Sequence, residues 1–245
     1  MKTCVLRRIL TKAALGVALP LSLLALPAGA ADIRIAITVD NSYALFIGNN
    51  TAVTSLVGSD FNWPTTEVYN FTLDSDKYLY LVTASDLSVA QGFLGQFQNL
   101  SSGYKFYSND PQWQVMATGL GSAAPYSGSA ADLTLLSNEI VDANGGGNPS
   151  GGWVSLTAGP ANGSAPWGAI GSIDAAARWV WYSSNGDTDP TSPGFNHNEW
   201  LVFRVAVAAT PDVPVPGVPN IPEPSTTALM LLGLLGLGAA ARKRL

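Results

Sequence analysis

The amino-acid sequence predicts an all-β domain, built as an antiparallel sandwich or barrel, in the middle of a chain of 245 residues. Two observations support this fold class. Apolar and polar residues alternate in short stretches, and clusters of Gly, Pro, Asn and Asp separate those stretches. A third observation is that no segment has the apolar period of about 3.6 residues that is typical of an amphipathic helix.

The first strand is predicted at residues 33–39, where branched apolar side chains occupy every second position up to Asp40 and Asn41. A second strand follows at 43–47 and ends at a turn that begins with Gly48. The same criteria bring the total to eight or nine strands, the others lying at 67–73, 78–84, 103–107, 113–118, 153–158, 178–182 and 200–207. Residues 86–100 are expected to include one helical turn. Residues 121–171 are rich in Gly, Ser and Pro and are predicted to form a loop region within the same domain.

The N-terminal segment, residues 1–30, is predicted to be a signal peptide. It has a basic start, an apolar stretch at 13–26 and a small-residue cleavage site at Ala28 and Ala30. Signal peptidase would therefore release a chain that begins near Ala31. The single cysteine, Cys4, would be removed with this segment, so the exported chain would contain neither a thiol nor a disulfide.

The C-terminal segment combines a turn motif, an uncharged stretch and a basic end. Six prolines lie within 209–224, and 209–221 is predicted to be an extended linker. The sorting segment is assigned to 222–245, with a transmembrane helix at 226–241. The seventeen uncharged residues 225–241 would form a helix of about 25 Å, close to the ~30 Å of a hydrocarbon core. The basic end would remain on the cytoplasmic side of the inner membrane. The motif is Pro222-Glu223-Pro224, and the basic end is Arg242-Lys243-Arg244.

These residues closely resemble the PEP-CTERM sorting signal of Gram-negative bacteria. The resemblance implies processing by an exosortase, first as an intermediate anchored in the inner membrane and then at the cell surface or in the extracellular matrix. An ordinary C-terminal membrane anchor is the alternative interpretation.

Charge limits the classes of partner that the exported domain, assigned to residues 31–208, can bind. Without its two terminal segments the chain keeps five basic and sixteen acidic residues, a net charge of about −11. Such a surface repels polyanions, so nucleic acid is not an expected partner. Divalent cations and neutral polysaccharides are compatible with it.

A second resemblance concerns the domain itself. Residues 35–49, followed by Trp63, the segment 69–72 and the apolar strand at 78–82, resemble the order of motifs in galactose-binding-like jelly-roll domains. In those domains the first of these motifs is a hairpin. The segments 178–181 and 200–204 resemble a motif pair of the rhamnosidase-associated sandwich, although here they follow the hairpin. The resemblance implies a jelly-roll-like sandwich; Gly48-Asn49 departs from the family pattern, which has Asn-Gly.

Two sets of residues are candidates for ligand binding. Alternation places Trp179 and Trp181 on one face, where we expect them to fill the core, whereas Trp153 and Trp167 in the loop region are candidates for stacking on sugars. No cofactor is predicted, apart from Ca²⁺ as a candidate ion. Oxygen ligands for it occur within residues 185–199, namely Asp187, Asp189, Asn196, Asn198 and Glu199.

The sequence does not favour an enzyme. A Ser-His-Asp triad would have to use the single histidine, His197, and no Gly-x-Ser-x-Gly motif accompanies it. Three functions remain, in order of preference. The protein is an exported surface or matrix component that binds carbohydrate, a structural or adhesion protein without a ligand, or a glycan-active hydrolase. Exposed aromatic side chains in a groove would favour the first, and buried indoles without a pocket the second. Two carboxylates about 5–10 Å apart in a cleft would favour the third.

Overall fold

Eleven strands and one helix make up the part of the chain that the computed structural model describes, residues 30–86, 90–121, 124–187, 189, 191 and 199–207. The strands are β1 (Ala31–Asp40), β2 (Ser42–Gly48), β3 (Val53–Asp60), β4 (Glu67–Leu73), β5 (Tyr78–Ala84), β6 (Gly92–Asn99), β7 (Lys105–Tyr107), β8 (Gln114–Ala117), β9 (Thr157–Ala161), β10 (Arg178–Trp181) and β11 (Leu201–Ala206). The helix, α1 (Ala130–Gly145), lies between β8 and β9.

The strands form two antiparallel sheets. The first sheet has the order β4-β1-β6-β10-β9, and β7 pairs with β6 outside that path. The second sheet has the order β3-β2-β5-β11-β8. This arrangement confirms the predicted antiparallel sandwich, and the fold is mainly β rather than all-β because of α1.

The main core lies between the two sheets. Every second residue of β1, from Ile33 to Val39, is buried there, as the alternation predicts. Apolar residues of β2, β5 and β11 pack in the same cluster from the second sheet, Leu45, Leu81 and Phe203 among them. Because the sequence has a single cysteine and therefore no internal disulfide, the stability of the described domain rests on such burial.

Each sheet is also covered on its outer face. Leu136, Ile140 and Ala143 of α1 pack in one cluster with apolar residues of the second sheet. On the outer face of the first sheet, residues between 167 and 177 form another cluster with Leu94 and Trp179. The molecule therefore has four layers, and the central strands are buried on both faces.

The helix α1 lies within the segment where the sequence analysis expected a loop. Its first turn is capped by Ser129, whose Oγ accepts a hydrogen bond from the backbone N–H of Asp132 at 3.2 Å. It ends at Gly146, which has φ of 76° and donates to the carbonyl of Ala143 at 3.2 Å. The buried residues 136, 140 and 143 do have helical spacing, but apolar residues off that face, such as the exposed Val141, blur the period.

Three other predictions about the strands are wrong. The helical turn expected in residues 86–100 is absent from the described part of that segment, which contains strand β6 instead. Because β6 is buried on both faces, its sequence lacks the alternation of apolar and polar residues that predicts a strand. Strands β1 and β2 do not form a hairpin, because the chain passes from the first sheet to the second at Asp40 and Asn41. The hairpin is β2–β3, and the exposed edge strand β3 has no clear apolar pattern. Residues 153–158 form a single bridge at Val154, and β9 begins only at Thr157.

The terminal assignments fall almost entirely outside the described residues. This applies to the signal peptide up to residue 29, the linker at 209–221 and the sorting segment with its helix at 226–241. Within the described residues, no helix has the length and apolar character needed to cross a bilayer.

Candidate functional site

The residues predicted for sorting lie mainly outside the described part of the chain. This is true of Pro222, Glu223 and Pro224, of Arg242, Lys243 and Arg244, and of Ala28. Ala30 is described and exposed, and Ala31 is the first residue of β1. Cleavage before Ala31 would therefore remove no residue of the sandwich.

Of the seven tryptophans, five are buried and two, Trp63 and Trp153, are partly exposed. Trp179 and Trp181 are both buried, as expected for core residues, but they do not share a face. Trp179 packs outside the first sheet and Trp181 packs between the sheets. The pairing of β10 with β9 is irregular at this place, where the register shifts between Arg178 and Val180 and the extra residue lies in β9.

Trp167, a candidate for sugar stacking, is only 7% exposed. Its ring stacks on Trp179 with a centroid distance of 4.1 Å and an interplanar angle of 18°. Its Nε1 donates a hydrogen bond of 2.6 Å to Oδ2 of Asp40. One ring face and the polar edge are therefore engaged within the protein, which does not suit a sugar-binding platform.

Asp40, which accepts this hydrogen bond, has a carboxyl group whose pKa is strongly raised. It is 6% exposed, and its burial raises the pKa to about 6. The hydrogen bond from Trp167 lowers the pKa and the charge of Asp86 raises it, both by less than burial does. The protonated carboxyl is thus favoured in mildly acid solution.

Trp153, the other stacking candidate, belongs to a surface that we call the Arg204 patch, made of Asn50, Tyr78, Asn144, Trp153 and Arg204. The guanidinium carbon of Arg204 lies 3.8 Å from the centroid of the Trp153 ring and 5.5 Å from that of Tyr78. Nη1 of Arg204 donates to Oδ1 of Asn50 at 3.3 Å and to Oδ1 of Asn144 at 3.2 Å. Trp153 Nε1 donates to the same Asn144 oxygen at 2.9 Å. A cation therefore covers one face of the indole that was expected to stack on sugars.

The candidate Ca²⁺ ligands do not converge in the described residues. Oδ1 of Asp189 accepts from the N–H and the hydroxyl of Thr191, at 3.0 and 2.6 Å, as in an ordinary turn. Glu199 is buried, and its Oε1 accepts from the N–H of Ser184 at 3.3 Å. Asp187 is exposed. Asn196, His197 and Asn198 lie outside the described residues, and within those residues no three acidic, histidine or cysteine side chains form a metal-binding group.

A pair of tyrosines, which the sequence analysis did not single out, joins the two sheets at one edge of the sandwich. The hydroxyls of Tyr43 in β2 and Tyr69 in β4 lie 2.9 Å apart. Burial raises the pKa of Tyr43, and the bond to Tyr69 raises it further, so this phenol stays protonated. Burial, followed by the charge of Asp60, also raises the pKa of Glu67 beside them. These residues come together only because the two sheets pack face to face, with β2 of the second sheet next to β4 of the first.

A cleft of about 220 Å³ lies at the other side of the sandwich and is called here the Trp113 cleft. One wall is the connection between β7 and β8, and the other is the segment that leads into β9. Its lining includes Asn109, Asp110, Trp113, Leu156 and Val180. Sequence reasoning missed it because its walls come from three separate segments.

Comparison with known proteins identifies the C-terminal segment. Residues 220–244 match the family model described as the PEP-CTERM protein-sorting motif. The chain carries a PEP-CTERM sorting motif. This confirms the resemblance seen at Pro222-Glu223-Pro224 and implies export, sorting to the cell surface and processing by an exosortase. Neither the search of curated proteins nor that of solved structures gave a match.

Proposed function

We propose that this protein is a component of the cell surface or of the exopolysaccharide matrix, and that its sandwich domain binds carbohydrate without catalysing a reaction. The PEP-CTERM motif at residues 220–244 carries the proposal, since it implies the location where such a protein acts. In this scheme signal peptidase cleaves near Ala31. The chain is then held in the inner membrane by residues 226–241 until an exosortase processes it.

The chemistry of the domain supports a neutral glycan as its ligand. Without its two terminal segments the chain has a net charge of about −11, which disfavours polyanions. Sugars carry hydroxyl groups that pair with amide and carboxylate side chains. The Trp113 cleft is lined by both kinds of polar side chain, in Asn109 and Asp110. The resemblance of residues 35–49 and 69–82 to galactose-binding-like jelly-roll domains points in the same direction, and we propose that relationship as well.

A structural or adhesion role without a ligand is the second candidate. It is favoured by one observation, the burial of five of the seven tryptophans. Buried indoles stabilise a domain but offer no stacking surface to a polysaccharide chain. The two candidates differ in whether the domain retains any glycan.

The sorting step is tested by replacing Pro222, Glu223 and Pro224 together with alanine in the exporting host. We expect the triple variant to accumulate, unprocessed, in the inner-membrane fraction, while the wild-type protein reaches the surface or the medium. The matched control replaces the linker residues Pro214 and Pro216, which should leave sorting unchanged. Normal sorting of the triple variant would refute the assignment, as would equal sorting in a host without an exosortase.

Carbohydrate binding is tested by affinity electrophoresis of the full chain through gels that contain exopolysaccharide or neutral glycans, with and without Ca²⁺. The detergent must have a headgroup without sugar, since a glucoside or maltoside would compete for the site. Retardation by at least one glycan is expected. If no glycan retards the protein, the structural candidate replaces this proposal.

A further inference from the structure

The edge strands of the two sheets differ in how far they are closed to further pairing. Within the described residues, the path of the first sheet ends at β4 and β9, and that of the second sheet ends at β3 and β8. An edge strand presents unpaired backbone N–H and C=O groups that can pair with another chain unless the edge is interrupted. Three of these edges are interrupted. Pro160 lies within β9, β8 has four residues and a bridge to Val154, and the register of β3 with β2 shifts at two places.

Strand β4 is the exception. It has seven residues, contains no proline, lysine or arginine, and keeps one register with β1 along its whole length. Its only charged side chain is that of Glu67, at the first position. The strand therefore lacks the features by which proteins usually prevent edge-to-edge pairing.

The hydrogen bonds of β1 show which backbone groups of β4 face the open edge. The carbonyl of Asp32 accepts from the N–H of Leu100 at 2.7 Å, on the side of β6. Because backbone groups along a strand alternate in direction, residues 33, 35 and 37 of β1 bond to β4, and their partners there are residues 71, 69 and 67. The N–H and C=O groups of Val68, Asn70 and Thr72 therefore point away from β1. Within the described residues no hydrogen-bond partner reaches these groups.

The sequence of β4 is complementary to itself. In an antiparallel pair of two copies, centred on Asn70, Val68 lies opposite Thr72 and Tyr69 lies opposite Phe71. The three residues that face the edge are symmetric about Asn70, so the pair forms about six backbone hydrogen bonds, two for each opposed pair. Val68, Asn70 and Thr72 are exposed, and the half-buried rings of Tyr69 and Phe71 gain a cross-strand aromatic contact.

We infer that the protein forms a twofold dimer through β4, in which the first sheets of two copies join into one continuous sheet. A contact of this kind uses the same surface on both copies and closes on itself, so it produces a dimer rather than a filament. The inference goes beyond the proposed function and does not depend on whether the domain binds a glycan.

The interface is small, because one short strand buries less than the ~800 Å² per partner of a standard interface. We therefore expect a Kd of roughly 10–100 µM in solution. Confinement to one membrane or cell surface, which the sorting motif implies, raises the local concentration and favours the dimer.

Sedimentation velocity of the full chain in detergent, at about 1–500 µM protein, tests the dimer. We expect a monomer–dimer equilibrium whose Kd rises about ten-fold or more in Asn70→Lys, since this change sets two ammonium groups opposite each other across the twofold axis. The matched control is Ser55→Lys, an equal change of charge at an exposed position of the edge strand β3, which should keep the wild-type Kd. A monomer at every concentration would overturn the inference, as would equal Kd values for Asn70→Lys and the wild type.

A disulfide trap tests the register without relying on a weakened interface. In a Cys4→Ser background, which removes the natural cysteine, Asn70→Cys would place two thiols on Cα atoms about 5.5 Å apart across the axis. That separation suits a disulfide. Mild oxidation near the Kd should link the Asn70→Cys protein at least about ten-fold faster than the Ser55→Cys control. Equal rates for the two variants would show that β4 does not pair in this register.

Discussion

Replacing the buried Asp40 with asparagine changes how the stability of the protein depends on pH. The unfolded carboxyl has a pKa of 3.8, and burial raises it to about 6 in the folded state. Below pH 3.8 both states are protonated and the carboxyl costs no stability. Between 3.8 and about 6 the unfolded state ionises while the folded state keeps its proton, so the free energy of unfolding falls as the pH rises. Above about 6 the loss is complete and constant.

The size of the effect follows from the difference between the two pKa values. A rise from 3.8 to about 6, at ~1.4 kcal/mol per pH unit, corresponds to about 3 kcal/mol. Asparagine retains an oxygen that can accept from Nε1 of Trp167 and has no charge to bury. Asp40→Asn should therefore match the wild type near pH 3.5 and be more stable by up to about 3 kcal/mol near pH 7.5.

Urea unfolding, followed by tryptophan fluorescence at several pH values, measures this difference directly. The control is Asp74→Asn at an exposed turn, which should change the free energy of unfolding by less than about 0.5 kcal/mol at every pH. The raised pKa of Glu67 and of Glu139 contributes to the pH dependence of both proteins and cancels in the comparison. A difference between Asp40→Asn and the wild type that stays constant with pH would show that burial of this carboxyl is not the cause.

Three further changes test the layers of the fold by thermal or urea denaturation. Gly92→Ala would place a Cβ 2.8 Å from Cε3 of Trp179 and should lower the free energy of unfolding by roughly 1–3 kcal/mol. The control Gly171→Ala meets no atom within 4 Å and should be nearly neutral. Equal stabilities of the two variants would contradict the close packing of Gly92 on Trp179. Ile140→Ala should cost about 2–5 kcal/mol if α1 covers the second sheet, and a loss below about 1 kcal/mol would mean that it does not. Ser129→Ala should cost about 1 kcal/mol because the first turn of α1 loses its cap, and Ser129→Asp should restore most of that stability.

The sequence predicts best those strands that have one dominant pattern. Strands β4 and β5 have the predicted bounds, Glu67–Leu73 and Tyr78–Ala84, and β1 alternates as a strand with one face in the main core. Strand β6 was missed for a physical reason. Its residues are buried on both faces, and buried polar side chains such as Gln96 interrupt its apolar run. A strand is recognised from its sequence when one face is apolar and the other polar, and β6 lacks that difference because both of its faces are buried.

The helix α1 could have been found from its ends rather than from its period. Ser129 and Asp132 have the spacing of an N-terminal cap, and Gly146 stands where helices often end with a left-handed residue. Its apolar residues lie on more than one face, as the exposed Val141 beside the buried Ile140 illustrates, so they form no clear stripe. The glycine and serine residues of this segment suggested a loop. Two of them, Ser129 and Gly146, are in fact the residues that cap the start and the end of the helix.

The candidate sites divide in a similar way. The sorting motif was predicted because a linear signal carries its own chemistry, and the family comparison confirms it. The Trp113 cleft could not be predicted, since Asn109, Leu156 and Val180 meet only through strand pairing. Single tryptophans in the sequence were poor guides, because the position of an indole depends on how the segments pack in three dimensions, as the separate clusters of Trp179 and Trp181 illustrate.

The topology bears on how the domain would tolerate removal of the predicted signal peptide and processing at the sorting motif. Strand β1, which follows the predicted signal peptide, pairs with β4 on one side and β6 on the other. Strand β11, which precedes the linker, pairs with β5 and β8. Both boundary strands therefore have a neighbour on each side. As far as the described residues define the sheets, neither strand uses a residue before Ala31 or after Ala206. A force transmitted through the linker would act on a strand that is hydrogen-bonded along both edges. Cleavage at either end would therefore remove none of the strand pairing that the described residues form.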